Sequence, residues 1–490
     1  MNILLVRPYP ELKVARTLEQ SFLHLEPLDL EIVAGGVPRD HKVTILDLSL
    51  ERRPIEAFRQ RLDLTRPDMV GFTAYSSHAH TVKRLAALVK DRCHAAITMV
   101  GGVHATIAPE DFSGTALDFV IRGEGGSIMP QLVEHIKAGR DPALRDRCLA
   151  TRDPGFLERV QTPPPPYPAV EDVPAPRRDL VDRSRYFCVW TDSPTGRLPT
   201  IFPRVASVRS STGCAFNCSF CVVPYIMNGR YVQKNPEQVV DTIAGLAEDH
   251  VYFVDDEMFL NPRRAGRIAE LLLERGIQKR YISWARSDTI VKHPDCFRLW
   301  RRAGLATLYV GIEAMDNAQL NGYAKRTNAD INRRAIALLR EIGITLHASL
   351  MVNPDFSVDQ FRRLERDIRA LCPAEVTFTV MSPPPGTELW RQHRENFICD
   401  PYRFYDCMHT LLEPALPLKT FYAHFSRLTS VALRSNPLRV HRVRVPFRDL
   451  ARVIIQGTRY IFALRAIYRD YDHYDQYCTN HSGRYRAAVE

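Results

Sequence analysis

The sequence predicts an α/β protein in three parts. An N-terminal doubly wound, Rossmann-like (flavodoxin-like) sheet is followed by a partial (β/α)6 barrel of the TIM type and a mainly helical C-terminal region. Three observations carry this prediction. Short β-branched runs alternate with stretches of helical periodicity over residues 1–150, and again over 200–400. A proline-rich stretch within 151–199 separates the two alternations. A loop with three cysteines stands directly after the first strand of the second alternation, and beyond residue 400 the alternation fades.

In the first part the candidate strands are 3–6, 43–48, 69–74, 97–100 and 119–121. Between them lie patterns such as 81–90, where Val82, Leu85, Leu88 and Val89 give helical spacing. Strands and helices alternating at this pitch form right-handed crossovers and a parallel sheet. Ligands of such sheets sit at the carboxyl ends of the strands. Ser76 and Ser77 follow the third strand, Gly101, Gly102 and His104 the fourth, and Gly123 and Glu124 the fifth. Glycine lets a ligand approach the backbone, and hydroxyls supply small hydrogen-bonding groups. No G-x-G-x-x-G follows the first strand, which argues against a nicotinamide cofactor. A plain flavodoxin-like domain with tight turns is the competing reading of these residues.

Residues 163–166 and 168, with Pro174 and Pro176, form a connector that cannot continue a helix and favours extended backbone. The second part has six candidate strands, 205–209, 251–254, 281–284, 307–311, 346–351 and 376–380. Pro236, Pro262 and Pro294 stand where helices begin. Six such units make a partial barrel with its chemistry at the carboxyl ends of the strands.

Cys214, Cys218 and Cys221 lie at one of those ends in a C-x3-C-x2-C spacing. Zinc in a structural site takes four protein ligands, and no Cys or His follows Cys221 within the next dozen residues. Three clustered thiolates point instead to a [4Fe–4S] cluster with one iron left open. Asp255, Asp256 and Glu257 follow the second strand, where an acidic cluster suits either an amino group or the positive end of a helix. Arg286 and Ser287 follow the third. Arginine there grips a carboxylate or pairs with a neighbouring acid. Gly311 and Glu313 end the fourth strand, and Pro385 and Gly386 the sixth.

At 490 residues, 45% hydrophobic and 25% charged, the composition is that of a soluble globular chain. The apolar run from Met1 to Val6 ends at Arg7 and Pro8, too short for an export signal. Eleven cysteines, an odd number, argue for free thiols and a cytoplasmic setting. The net charge of +10 suits an anionic membrane surface or a nucleic acid, and charge alone does not choose. Residues 434–445 are dense in arginine. From 450 to 468, Val453, Ile454, Ile455, Ile461, Phe462, Leu464 and Ile467 mix with Arg452, Arg459 and Arg465. That pattern fits an amphipathic helix on a membrane, or, the favoured reading, a helix packed on the barrel with its arginines in solvent. The tyrosine-rich stretch from Tyr468 to Tyr485 reads as a cap or a flexible end.

The cysteine loop, with Phe220 before its last cysteine, resembles that of the radical S-adenosylmethionine enzymes. Gly311-Ile-Glu313 and the loop holding Pro385 and Gly386 match further motifs of that family. The glycine loops of the first part look like those of the cobalamin domains that precede such barrels, although the D-x-H-x-x-G motif is absent. The resemblance covers about residues 1–390. It implies a cobalamin domain (1–150), a linker (151–199), a radical core (200–400) and a C-terminal region (401–490). It implies a [4Fe–4S] cluster on Cys214, Cys218 and Cys221, S-adenosylmethionine on the open iron, and cobalamin without a histidine on cobalt.

The implied activity is methyl transfer from methylcobalamin to an unactivated carbon, with an external reductant such as flavodoxin or ferredoxin and no nucleic acid. Within the family the chain looks most like the hopanoid C-3 methylases. A small-molecule substrate, a polycyclic lipid, and peripheral membrane contact through the C-terminal region follow from that. Relatives that methylate or cyclise tetrapyrroles or natural products, and a non-catalytic cobalamin or redox sensor, are the alternatives. A tRNA methylthiotransferase would need further clustered cysteines, and Cys93 and Cys148 stand alone.

Overall fold

A computed structural model describes residues 1–139, 147–190, 200–435 and 446–472. The strands, in chain order, are β1 (Asn2–Arg7), β2 (Leu23–His24), β3 (Lys42–Asp47), β4 (Met69–Thr73), β5 (Ile97–Gly101), β6 (Phe119–Ile121), β7 (Cys148–Ala150) and β8 (Phe187–Cys188). They continue with β9 (Val205–Val208), β10 (Ser211–Gly213), β11 (Tyr231–Gln233), β12 (His250–Phe253), β13 (Arg280–Ala285), β14 (Leu305–Glu313), β15 (Thr345–Val352) and β16 (Glu375–Val380).

The first sheet runs β3-β1-β4-β5-β6-β7 and is parallel as far as β6. The five expected strands are all present, and an antiparallel edge strand, β7, closes the sheet. Its strands are apolar on both sides, as a sheet covered on two faces requires. Leu4, Val6, Val70, Phe72 and Val100 face one set of helices, and Ile3, Leu5, Met69 and Met99 face the other.

The second sheet, β16-β15-β14-β13-β12-β9, is wholly parallel, and its outer strands β9 and β16 are not paired to each other. It is the expected six-stranded, open barrel. Pro236, Pro262 and Pro294 stand at the starts of helices Pro236–Ala244, Pro262–Glu274 and Pro294–Ala303.

The connector differs from a free spacer. Arg178 and Arg183 converge on Glu26, whose carboxylate is fully buried and also accepts the backbone N–H of Ser207 on β9 at 2.5 Å. Arg178 donates to the carbonyl of Ser207 at 2.6 Å, and Arg183 to Glu248 at 2.8 Å. β8 pairs antiparallel with β2. The segment therefore ties the first sheet to the first barrel strand. Residues 191–199 of the connector lie outside the described residues.

The C-terminal helix Phe447–Ala466 packs chiefly on helices Lys13–Phe22 and Leu418–Ser435, and its Leu464 joins the barrel's hydrophobic core. Its arginines are not all in solvent, because the Arg452 guanidinium lies 3.8 Å from the centre of the Phe202 ring and 4.6 Å from that of Phe187. Tyr471 donates to the carbonyl of Thr410 at 2.8 Å, so the start of the tyrosine-rich stretch is a packed cap. Most of the arginine-dense stretch (436–445) and residues 473–485 of the tyrosine-rich one lie outside the described residues.

Candidate active site

The carboxyl ends of β4, β5 and β6 face the mouth of the barrel across one cavity of about 710 Å³. Ser76, Ser77, Gly101, Gly102, Gly123 and Glu124 line it from the first sheet, and Asp256, Val222, Val223 and Pro385 from the barrel side. Gly102 holds φ +93°, and a Cβ there would stand 2.9 Å from the Thr73 hydroxyl and 3.0 Å from the Ala74 nitrogen. Gly386 holds φ +77°, and its Cβ would meet the carbonyl of Ile107 at 2.9 Å. The sixth-strand loop thus closes directly on the first sheet's helix Val103–Ile107.

His104 stands apart from its expected role. It is fully buried and does not line the cavity. Asp111 stands 3.2 Å from Nε2, Ser76 Oγ 3.2 Å from Nδ1, and the rings of Phe112 and Tyr402 pack edge-on against it. Its neighbour in the cavity wall is His78, which burial holds neutral with a pKa lowered to about 3.

The cysteine loop is the turn of a hairpin whose legs, β10 and β11, pair antiparallel. Cys218 is buried, while Cys214 and Cys221 are half-buried. Burial pushes the Cys221 thiol up to about 12 and Cys214 up as well, and in Cys221 the charges of Cys218 and Cys214 add to the effect. Such thiols need a cation to ionise. Among the described residues no group of three or more His, Cys, Asp or Glu side chains stands ready as a metal set. The three sulfurs share one loop without being drawn together.

The loop is braced from the neighbouring strand ends. Arg286 donates to the Lys325 carbonyl at 2.6 Å and to Asp288 at 2.9 Å. It lies 3.6 Å from the centre of the Phe216 ring, and its Nη1 stands 3.7 Å from Cys218 Sγ. Its charge is already matched, so pairing with a neighbouring acid is the reading the structure supports. Phe220 packs edge-on against Tyr323, and Lys325 over Phe220 pairs with Glu313 at 2.8 Å. Glu313 follows a register shift at Gly311 and adopts φ +59°, a left-handed conformation that costs a side chain strain.

The acidic cluster divides by role. Asp255 accepts from the Ser210 nitrogen and from the hydroxyls of Ser210 and Ser211, at 2.5–2.7 Å. Asp256 accepts from the Gly213 nitrogen at 2.7 Å. Both hold the hairpin. Glu257 is buried beside Cys214 with Oε1 unpartnered, and burial raises its pKa to about 8 against the pull of Arg286. The Ser287 hydroxyl is buried and likewise without a partner. Tyr231 Oη, Arg264 Nη1 and Thr327 Oγ1 nearby are also unpartnered, but Glu257 and Ser287 stand at adjacent strand ends, where a polar ligand fits.

Several cavity residues escaped the sequence reading. Tyr75 is 56% exposed although it lines the cavity wall. Arg209 follows β9. Burial works against its charge, but Tyr167, Glu124, Asp29 and Asp256 around it hold its pKa above the usual value. Tyr167, from the connector, donates to Glu124 at 3.1 Å. Residues Tyr405 to Met408 reach the cavity from beyond the barrel, and Cys407 there holds φ +61°. Only Tyr75 had a local signal, its place beside Ser76 and Ser77.

Residues 18–133 match the B12 binding domain family and residues 208–368 the radical SAM superfamily. The chain is 30% identical over 443 residues to the hopanoid C-3 methylase of Methylococcus capsulatus, spanning 89% of this chain and 81% of that protein. The chain belongs to the cobalamin-binding radical S-adenosylmethionine enzymes. Its fold matches that of the cobalamin-dependent S-adenosylmethionine radical enzyme OxsB, solved with aqua-cobalamin and S-adenosylmethionine bound. The TM-score is 0.66 at 16% identity, over 95% of this chain and 72% of that one. It also matches the methyltransferase TsrM from Kitasatospora setae, solved with tryptophan and a S-adenosylmethionine analogue, with a TM-score of 0.62 at 18% identity over 96% and 98% of the two chains. The enzyme is a cobalamin-dependent radical S-adenosylmethionine methyltransferase whose cofactors are cobalamin, S-adenosylmethionine and a [4Fe–4S] cluster. The sensor alternative falls away.

Proposed function

We propose that this enzyme methylates an unactivated carbon of a polycyclic lipid, position C-3 of a hopanoid. The observation that supports the reading is the cavity lined by strand ends of both sheets, in which the first sheet's loops face Val222 and Asp256, the chain neighbours of Cys221 and Glu257. Likeness to a hopanoid C-3 methylase over most of the chain supports the substrate. We assign 1–150 to cobalamin, 151–199 to the connector, 200–400 to the radical core and 401–490 to a covering region.

In this reading Cys214, Cys218 and Cys221 hold the cluster, their donor set of three soft thiolates fitting iron. Glu257 and Ser287 supply the free polar atoms for the amino acid end of S-adenosylmethionine, and Gly311, Glu313, Pro385 and Gly386 flank its nucleoside. Ser76, Ser77, Gly101, Gly102, Gly123 and Glu124 cradle the corrin, with Tyr75 presenting its ring to it. His104 positions Ser76 and does not reach the ligand. When bound, the cofactors would supply radical hydrogen abstraction and the methyl group, with electrons drawn from an external flavodoxin or ferredoxin. The chain's own residues bind, orient and exclude water. Arg286 and the Glu313–Lys325 pair fix the cysteine loop, and the Tyr405–Met408 segment walls the cavity.

The test is anaerobic reconstitution with S-adenosylmethionine, reductant and a hopanoid lacking the methyl group. Release of 5′-deoxyadenosine with a 3-methyl product supports the proposal. Methylation of a tetrapyrrole in place of the hopanoid would refute the substrate.

A further inference from the structure

Helix Phe447–Ala466 is apolar on two opposite faces, and among the described residues only one of them is covered. The covered face carries Leu464, the Tyr460 ring at 5.9 Å from Phe22, and Arg452 laid over Phe202. At 100° per residue, Phe447, Ile454, Ile455 and Phe462 fall together on the other face. They are 85%, 58%, 52% and 65% exposed. A helix that served only to cap helices Lys13–Phe22 and Leu418–Ser435 would place polar residues there.

Charge says what the bare face meets. Arg448, Arg459 and Arg465 are exposed around it. The helix has one acid, Asp449, whose buried side chain accepts from the Ile201 nitrogen at 2.9 Å and stands 3.4 Å from Arg448 Nε, leaving Arg459 and Arg465 the uncompensated charges of the three. Apart from Thr458, the outward surface is thus apolar and cationic. A second copy docking through the same patch would set these arginines against their own equivalents. No helix among the described residues is long and apolar enough to cross a membrane, so contact must be in the interfacial plane.

We infer that the outward face of helix Phe447–Ala466 seats the protein on an anionic lipid bilayer, with Phe447, Ile454, Ile455 and Phe462 entering the interface and the three arginines meeting headgroups. The helix beneath it, Lys13–Phe22, lines the cavity with Ala15, Leu18 and Glu19. Docking therefore sets the wall of the active-site cavity close to the lipid from which an apolar substrate would come. The surface stands on its own observations and does not rest on which substrate is methylated.

The experiment is flotation of the full chain with vesicles of phosphatidylglycerol and phosphatidylcholine, or of phosphatidylcholine alone, beside sedimentation without lipid. The protein is expected to float with the anionic vesicles. Partition should fall on the order of a hundredfold in R448Q/R459Q/R465Q, and be lost in F447S/I454S/I455S/F462S. All variants change exposed side chains, and retained circular dichroism and corrinoid content show that they fold. Absence of flotation, equal flotation with neutral vesicles, or self-association abolished by the serine variant would each overturn the inference. Vesicle binding by an enzyme that leaves hopanoids unmethylated would uphold it while the substrate proposal fails.

Discussion

His409 offers the sharpest test of how the C-terminal region holds the cavity wall. It is fully buried between two carboxylates, Asp406 at 2.9 Å from Nδ1 and Asp470 at 3.2 Å from Nε2. Burial opposes its charge, but Asp406 and Asp470 overcome that and raise its pKa from 6.5 to about 9. A histidine whose folded pKa is raised contributes stability that is complete below its unfolded pKa of 6.5 and is lost as pH rises through about 9. The displacement corresponds to about 3 kcal/mol. Because Asp406 also lines the cavity, losing the imidazolium should loosen the wall as well as the fold. Urea unfolding followed by circular dichroism should show the parent losing stability between those two pH values. His409→Gln should be weaker at low pH by about the same amount and flat across the window. Parallel pH profiles for parent and variant would refute the reasoning.

Three further outcomes follow from the same geometry. Glu26→Gln leaves Arg178 and Arg183 with Glu31, at 3.7 and 3.9 Å, as their remaining fully buried carboxylate, and should cost about 2–3 kcal/mol in thermal unfolding, with faster proteolysis of the connector. Gly102→Val forces a side chain onto Thr73 and Ala74 at a left-handed position, so the chain should purify without stoichiometric corrinoid, read from the visible spectrum, while its iron content is unchanged. Glu257→Gln removes a carboxyl group that burial keeps protonated up to about pH 8 and that a bound ammonium would hold ionised, and affinity for S-adenosylmethionine by equilibrium dialysis should fall roughly tenfold or more.

What the sequence made legible was local. The C-x3-C-x2-C spacing, the alternation that makes strands such as Val70–Phe72 apolar in both directions, and the prolines that open helices each declare themselves within a few residues. What it hid was set by partners far along the chain. Asp255, Asp256 and Glu257 look alike in sequence. Asp255 and Asp256 are satisfied by Ser210, Ser211 and Gly213, more than 40 residues earlier, and only Glu257 keeps a free oxygen. His104 stands in a glycine loop as a ligand would, yet Asp111 and Tyr402 draw it into the core. β7 and the β2–β8 pair are too short to carry a periodicity.

The covering segments explain why two open sheets make one reaction chamber. Each sheet alone would leave its carboxyl edge in open solvent, where a bound reactant would not be held in one geometry or kept from competing reactions. Closure comes from within the two alternations through helix Lys13–Phe22 and Gly386 against Ile107, and from outside them through Tyr167 on Glu124 and the Tyr405–Met408 turn with its left-handed Cys407. His80 to Asp400 at 2.7 Å anchors that last segment to the first sheet. The strained φ at Glu313 and Cys407 persists because packing around each over-determines it. Both lie where the barrel's mouth meets the loops that cover it. The residues that confine the chemistry are therefore drawn from the connector and the C-terminal region as much as from the two motifs that announce it.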